Sequence, residues 1–206
     1  MKTLPRISLV ALTVALLPVA AEAHNFAKGT IFPQIVEGIG ASINSPSGLL
    51  TLIPLGIMAS VWQTEGMLRL MAPLVAGLVA GVFLALFGSP AYVVPSLCIG
   101  ILSALLAVIA RPWPFAPLAA LAAAAGVLVN MVTLEGHGFG ELQFGIYVGI
   151  VLGAAVIPLI AAAVTRGALQ KVPAFWMQIA VRVIASWSAA IALMYMTFQF
   201  KAIMGG

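Results

Sequence analysis

Side chains able to hold a metal ion or move a proton are scarce in this chain: five glutamates, two histidines, one cysteine and no aspartate. Three of them fall within seven residues, in Glu135-Gly136-His137-Gly138-Phe139-Gly140-Glu141. Two carboxylates flanking an imidazole suit Ni, Zn, Cu or Fe in the divalent state. The three glycines let the backbone fold closely around a small ligand. The alternative reading of the same segment is a glycine-rich turn whose charges are simply solvated. His24 and Glu37 are the other donors expected on this side of the molecule. A free amine at His24, together with its own imidazole, would chelate one copper or nickel ion; otherwise it is an exposed terminal residue.

The elements that must position these groups are apolar. The chain is 63% hydrophobic and only 7% charged, with a mean hydropathy of +1.19. An ionisable group in lipid costs several kcal/mol, so a chain of this kind keeps charges where water or function allows. Such a composition predicts an all-α integral membrane protein forming one unit. The first 23 residues read as a secretory signal: Lys2 and Arg6, an apolar run from Ile7 to Leu17, then Ala21-Glu22-Ala23 as the cleavage site. Cleavage there leaves residues 24–206 as a single transmembrane domain that starts at His24; the alternative is an uncleaved signal anchor.

About six spans near the roughly 20 residues a bilayer requires are predicted. They cover Ser47–Trp62, Met67–Phe87, Ala91–Ala110, Phe115–Leu134, Phe144–Thr165 and Val183–Phe200. The first is short and gains length from Ile35–Ile43, with Asn44-Ser45-Pro46-Ser47-Gly48 as a break. That break either lines a cavity or forms an interfacial turn. Val172 to Arg182 is expected to lie along the interface. A mature N-terminus on the outer face puts Arg69, Arg111, Arg166, Lys171 and Arg182 inside and Lys28 and Lys201 outside, in keeping with the positive-inside rule. The same placement sets Glu37, Glu135, His137 and Glu141 on the outer face of a bacterial cytoplasmic (inner) membrane. Glu65, four residues before Arg69, is expected to pair with it on a helix surface.

Gly77 and Gly81 in the second span, Gly100 with Ser103 and Ala104 in the third, and Gly145, Gly149 and Gly153 in the fifth form small-residue ridges. Ridges of this kind let helices approach closely, within the chain or between copies in an oligomer. Cys98, alone in an apolar stretch, is expected to be a buried thiol. The basic residues are dispersed, which excludes a nucleic-acid-tracking patch. No Walker A, strand-bound GxGxxG or HExxH motif is present. With no nucleophile–base pair visible, an enzyme is not expected, nor a resident cofactor beyond a bound divalent metal.

The layout resembles the HupE/UreJ family of hydrogenase and urease accessory membrane proteins. That family has a cleaved signal, a mature start near histidine, about six spans, and metal ligands in motifs of the types HPxxGxDH and HGHAHGxE. Asn44-Ser45-Pro46-Ser47-Gly48-Leu49-Leu50-Thr51 is similar to the first: with Gly48 as its glycine, Asn44, Leu50 and Thr51 stand where the family has His, Asp and His. Glu135 to Glu141 is similar to the second, keeping His137 and the nearby acid Glu141, with Glu135 and Phe139 in place of the outer histidines. The resemblance implies a bundle that handles nickel, with Cu, Zn or Co as alternatives. It implies a permease or accessory role beside the lipid bilayer, and a metalloenzyme or its maturation proteins as partners. Glu135, His137 and Glu141 would capture the ion, helped by His24 and Glu37, with Asn44, Thr51 and Asn130 as polar path residues. The rival expectation is an assembly subunit that binds a membrane metalloenzyme without moving an ion.

Overall fold

The structure is a computed structural model that describes residues 30–172 and 175–204. Among these residues it contains seven α-helices and no strand. Helix α1 is Ile31–Ile43, α2 Pro46–Trp62, α3 Gly66–Leu84, α4 Val93–Ile109, α5 Phe115–Thr133, α6 Phe144–Lys171 and α7 Phe175–Met204. Among the described residues, five helical stretches are long and apolar enough to cross a membrane, and the pair α1 and α2, bent by 80° at their junction, adds a sixth if it counts as one span. A multi-pass helical bundle is therefore what the chain builds.

Local chemistry sets the helix ends. At the α1–α2 break, Pro46 occupies the first helical turn, where its missing N–H costs nothing. Ser45 caps α2 by accepting from the Gly48 N–H at 3.3 Å. Helix α3 tightens into a 3₁₀ turn over Ala85–Phe87, and a second such turn, Pro90–Tyr92, leads into α4. Helix α4 stops at Ala110, whose φ of 50° is left-handed, ahead of Pro112 and Pro114.

Four helix pairs in the core use the same two devices. The first is a glycine that lets backbones touch. A Cβ on Gly77 or Gly126 would overlap the backbone across the α3–α5 seam, and Gly100 sits on the Leu50 carbonyl of α2. That carbonyl lacks its usual helical donor, because Pro54 has no N–H to give it. Gly56 lies on the Pro158 carbonyl of α6, while Gly38, Gly149 and Gly153 seat α1 against α6. The second device is a short polar side chain reaching the neighbouring backbone. The Asn130 amide donates to the Leu78 carbonyl at 2.8 Å. The Ser42 hydroxyl lies 2.9 Å from the Ile150 carbonyl, Ser60 3.1 Å from that of Ala162, and Thr51 3.0 Å from that of Ser96. In lipid no apolar driving force separates helix from tail, so close contact and interhelical hydrogen bonds hold the bundle.

Helix α2 is the axis, enclosed from Leu55 to Ser60, and Leu52, Leu55, Leu74, Leu78, Ala122 and Ala125 form the centre of the core. The pairings α2–α4, α2–α6 and α3–α5 join parallel helices, so the helix ends segregate. The starts of α4 and α6 and the end of α5 share one pole with the 134–143 connection. The ends of α2, α4 and α6 and the starts of α3, α5 and α7 share the other.

The spans match expectation except at the C-terminal side. Helix α6 continues past Thr165 to Lys171, and α7 begins at Phe175. The stretch expected to lie along the interface is thus largely the first turns of α7, since nothing from Phe175 to Met204 is glycine or proline. Cys98 is exposed, not buried: Leu97 beside it turns into the core, while the Cys98 thiol faces outward and lies 3.9 Å from the Met196 sulfur of α7. Glu65 and Arg69 are joined through the backbone, with the Arg69 N–H on the Glu65 carbonyl at 3.1 Å. Both side chains are exposed, and no ion pair forms between them.

Candidate functional site

The 134–143 connection is a compact turn held from below by one side chain. The Tyr147 hydroxyl, on the first turn of α6, donates to the Gly138 carbonyl at 2.8 Å. It accepts from the Gly140 N–H at 3.0 Å and the Leu142 N–H at 3.2 Å. Gly136 and Gly140 have φ of +80° and +93°, a left-handed region that only glycine enters freely. The Phe139 ring packs on Phe83 of α3, with centroids 4.7 Å apart, and on Tyr147 at 5.6 Å. A buried tyrosine hydroxyl needs partners, and here the turn supplies three.

The candidate donors are set into this frame. Glu141 is exposed, yet its Oε2 accepts from the Gly138 N–H at 2.9 Å, so the carboxylate caps its own turn. His137 is half-buried; its Nδ1 lies 3.3 Å from the Glu135 carbonyl oxygen, and its backbone N–H donates to the Leu134 carbonyl at 2.9 Å. Glu135 is half-buried beside it. The turn therefore gathers all three residues into one segment. Among the described residues, however, no group of three or more His, Cys, Asp or Glu stands close enough to hold a metal ion.

The other expected site residues lie elsewhere. Glu37 is half-buried in the middle of α1, next to Gly38, which packs on Ile146, Gly149 and Ile150. It belongs to the α1–α6 pair and not to the turn. His24 lies outside the described residues. Thr51 and Asn130 are fully buried; the Thr51 hydroxyl and the Asn130 amide nitrogen bond across helices and Asn130 Oδ1 is buried without a partner, while Asn44 is an exposed cap of α1 whose backbone N–H bonds the Gly40 carbonyl. The three do not line a common path.

Sequence reasoning missed Tyr147 and Ser96. Tyr147 makes three hydrogen bonds to the turn, and a tyrosine one turn into an otherwise apolar span was the available signal. Ser96 meets Thr51 hydroxyl to hydroxyl at 3.0 Å, a pairing of residues 45 positions apart that no local pattern reveals.

No protein-family model, no curated protein and no solved structure matches this chain.

Proposed function

We propose that this chain is a multi-pass membrane accessory protein whose working surface is the turn 134–143. The cargo that this surface meets is a divalent transition metal, nickel by the resemblance to HupE/UreJ proteins. The supporting observation is placement. In a chain with so few ionisable groups, Glu135, His137 and Glu141 share one rigid turn at a membrane-proximal pole. Their geometry suits passing capture by one or two donors, with His137 the leading one, rather than a closed resident site. Calorimetric titration of the full chain in detergent with Ni, Cu, Zn and Co tests this. Micromolar binding of one metal that is lost in His137→Ala is the expected result. Absence of binding in both proteins would overturn it.

A second reading, an assembly subunit that moves no ion, is favoured by the packing. Glycine seams close the interior by direct backbone contact, and the Ser42, Thr51 and Ser60 hydroxyls turn onto neighbouring carbonyls. Cellular metal accumulation separates the two. Uptake that depends on His137 supports metal handling. Unchanged uptake beside a missing membrane complex supports assembly.

A further inference from the structure

At the pole opposite the turn, two cavities meet at one residue. The first, of about 450 Å³, is lined by Ser60, Arg166, Gln178, Val181 and Arg182 among others. The second, of about 620 Å³, is an almost wholly apolar groove along α1, α2, α6 and α7, with Ile53, Val156, Ile160, Val181 and Ile184 in its walls. Val181 lines both. Around it a single turn of α6 divides its side chains, with Thr165 and Ala168 on the groove and Arg166 and Leu169 on the polar cavity.

The arginines of the polar cavity hold unspent donors. Arg166 gives one Nη2 hydrogen bond to Thr64 at 2.8 Å. Its Nε is buried without a partner, an arrangement that costs free energy until an acceptor arrives. Arg182 is exposed, and among the described residues neither guanidinium pairs with a carboxylate. A guanidinium presents a planar fork of N–H donors that matches the oxygens of a phosphate. A soluble anion has no use for the adjoining groove. A helix from a partner protein would fill the groove but leave the buried N–H unsatisfied. One ligand class satisfies both.

We propose that this pole binds an anionic glycerophospholipid. Arg166 and Arg182 hold its phosphate, Gln178 and Ser60 border the headgroup, and one acyl chain lies past Val181 in the apolar groove. Basic pockets between transmembrane helices recognise anionic headgroups in this way, whereas a zwitterionic lipid cancels part of the attraction. The site is independent of the metal reading, since it shares no residue with the turn.

Native mass spectrometry of the full chain, released from detergent containing equal phosphatidylglycerol and phosphatidylcholine, tests the proposal. Retention of one phosphatidylglycerol, preferred by about tenfold or more, is expected. The preference should fall to near parity in Arg182→Gln, an exposed position that leaves the fold intact, and in Arg166→Gln. It should persist in Arg69→Gln and Arg111→Gln, which remove charge from the same pole outside the cavity. Val156→Trp, which narrows the groove, should weaken phosphatidylglycerol retention. Equal retention of the two lipids would overturn the proposal, as would equal losses in all four arginine variants. Displacement of the bound lipid by millimolar inorganic phosphate would replace it with a soluble-anion site.

Discussion

Helices α1 to α6 and helix α7 solve the same problem differently. The first six carry glycines where they meet, and at those points backbones touch and short polar side chains bridge the gap. Helix α7 has no glycine. Only 17% of its most apolar window is buried, against 39% to 50% for the helices α3 to α6. It rests on α4 through Ala192, which is fully buried beside Val93 and Leu97, and it reaches the central core through Val181 and Ala185. Where α7 leans on α6 the two do not close, and both cavities open along that boundary. Between apolar side chains and apolar lipid the hydrophobic effect chooses nothing, so residue size decides which helices fuse into a core and which ride on its rim.

The sharpest way to break this contrast is to place one methyl in a seam. Gly77→Ala puts a Cβ onto the Ala123 carbonyl of α5, a backbone atom that cannot swing aside. The helices must separate along the seam, which also strains the Asn130–Leu78 hydrogen bond. Overpacking costs about 1–3 kcal/mol in ordinary cores, and this contact belongs at or above the top of that range. Thermal unfolding in detergent should show a large fall in midpoint. An unchanged midpoint would mean that α3 and α5 are not held backbone to backbone.

A smaller effect is expected from Ala192→Leu, which adds volume where α7 meets α4. Among the described residues no glycine ties α7 to its neighbours backbone to backbone, so it should shift outward as a unit at a cost of about 2 kcal/mol. Hydrogen exchange should rise in α7 alone, leaving α2, α3 and α5 as protected as before. Loss of protection throughout the bundle would show that α7 is bound to the core as tightly as the glycine seams bind the other helices.

Much of this division was legible in the sequence, and the reason is geometric. Spacings such as Gly77–Gly81 and Gly145–Gly149–Gly153 place small residues on one helix face, so those ridges announce themselves without knowledge of their partners, whereas Gly56 of α2 and Gly126 of α5 form no such glycine pattern. The identity of each partner was not legible. Nothing local tells Gly77 that it meets Ala123, or Thr51 that it meets Ser96. The turn was legible as glycine-rich and charged. Its internal wiring was not, because the Glu141 carboxylate and the Tyr147 hydroxyl bond backbone groups that any residue type would provide. The extent of α7 was misjudged because polar residues such as Gln178 and Arg182 read as an interface. In three dimensions they border a cavity on a continuous helix.

The smallest predicted change runs in the opposite direction and guards against reading every glycine as a seam. Gly40 and Gly167 lie within α1 and α6, and a Cβ at either would meet nothing within 4 Å. Neither has a positive φ, so alanine fits the existing backbone. Alanine favours the helix by up to about 1 kcal/mol over glycine in an exposed interior position, chiefly by restricting the unfolded chain. Gly40→Ala and Gly167→Ala should therefore leave the unfolding midpoint unchanged or raise it slightly, beside the large fall for Gly77→Ala. A fall of similar size in all three would show that glycine acts here through helix flexibility. In that case contact distance would not be what separates core from rim.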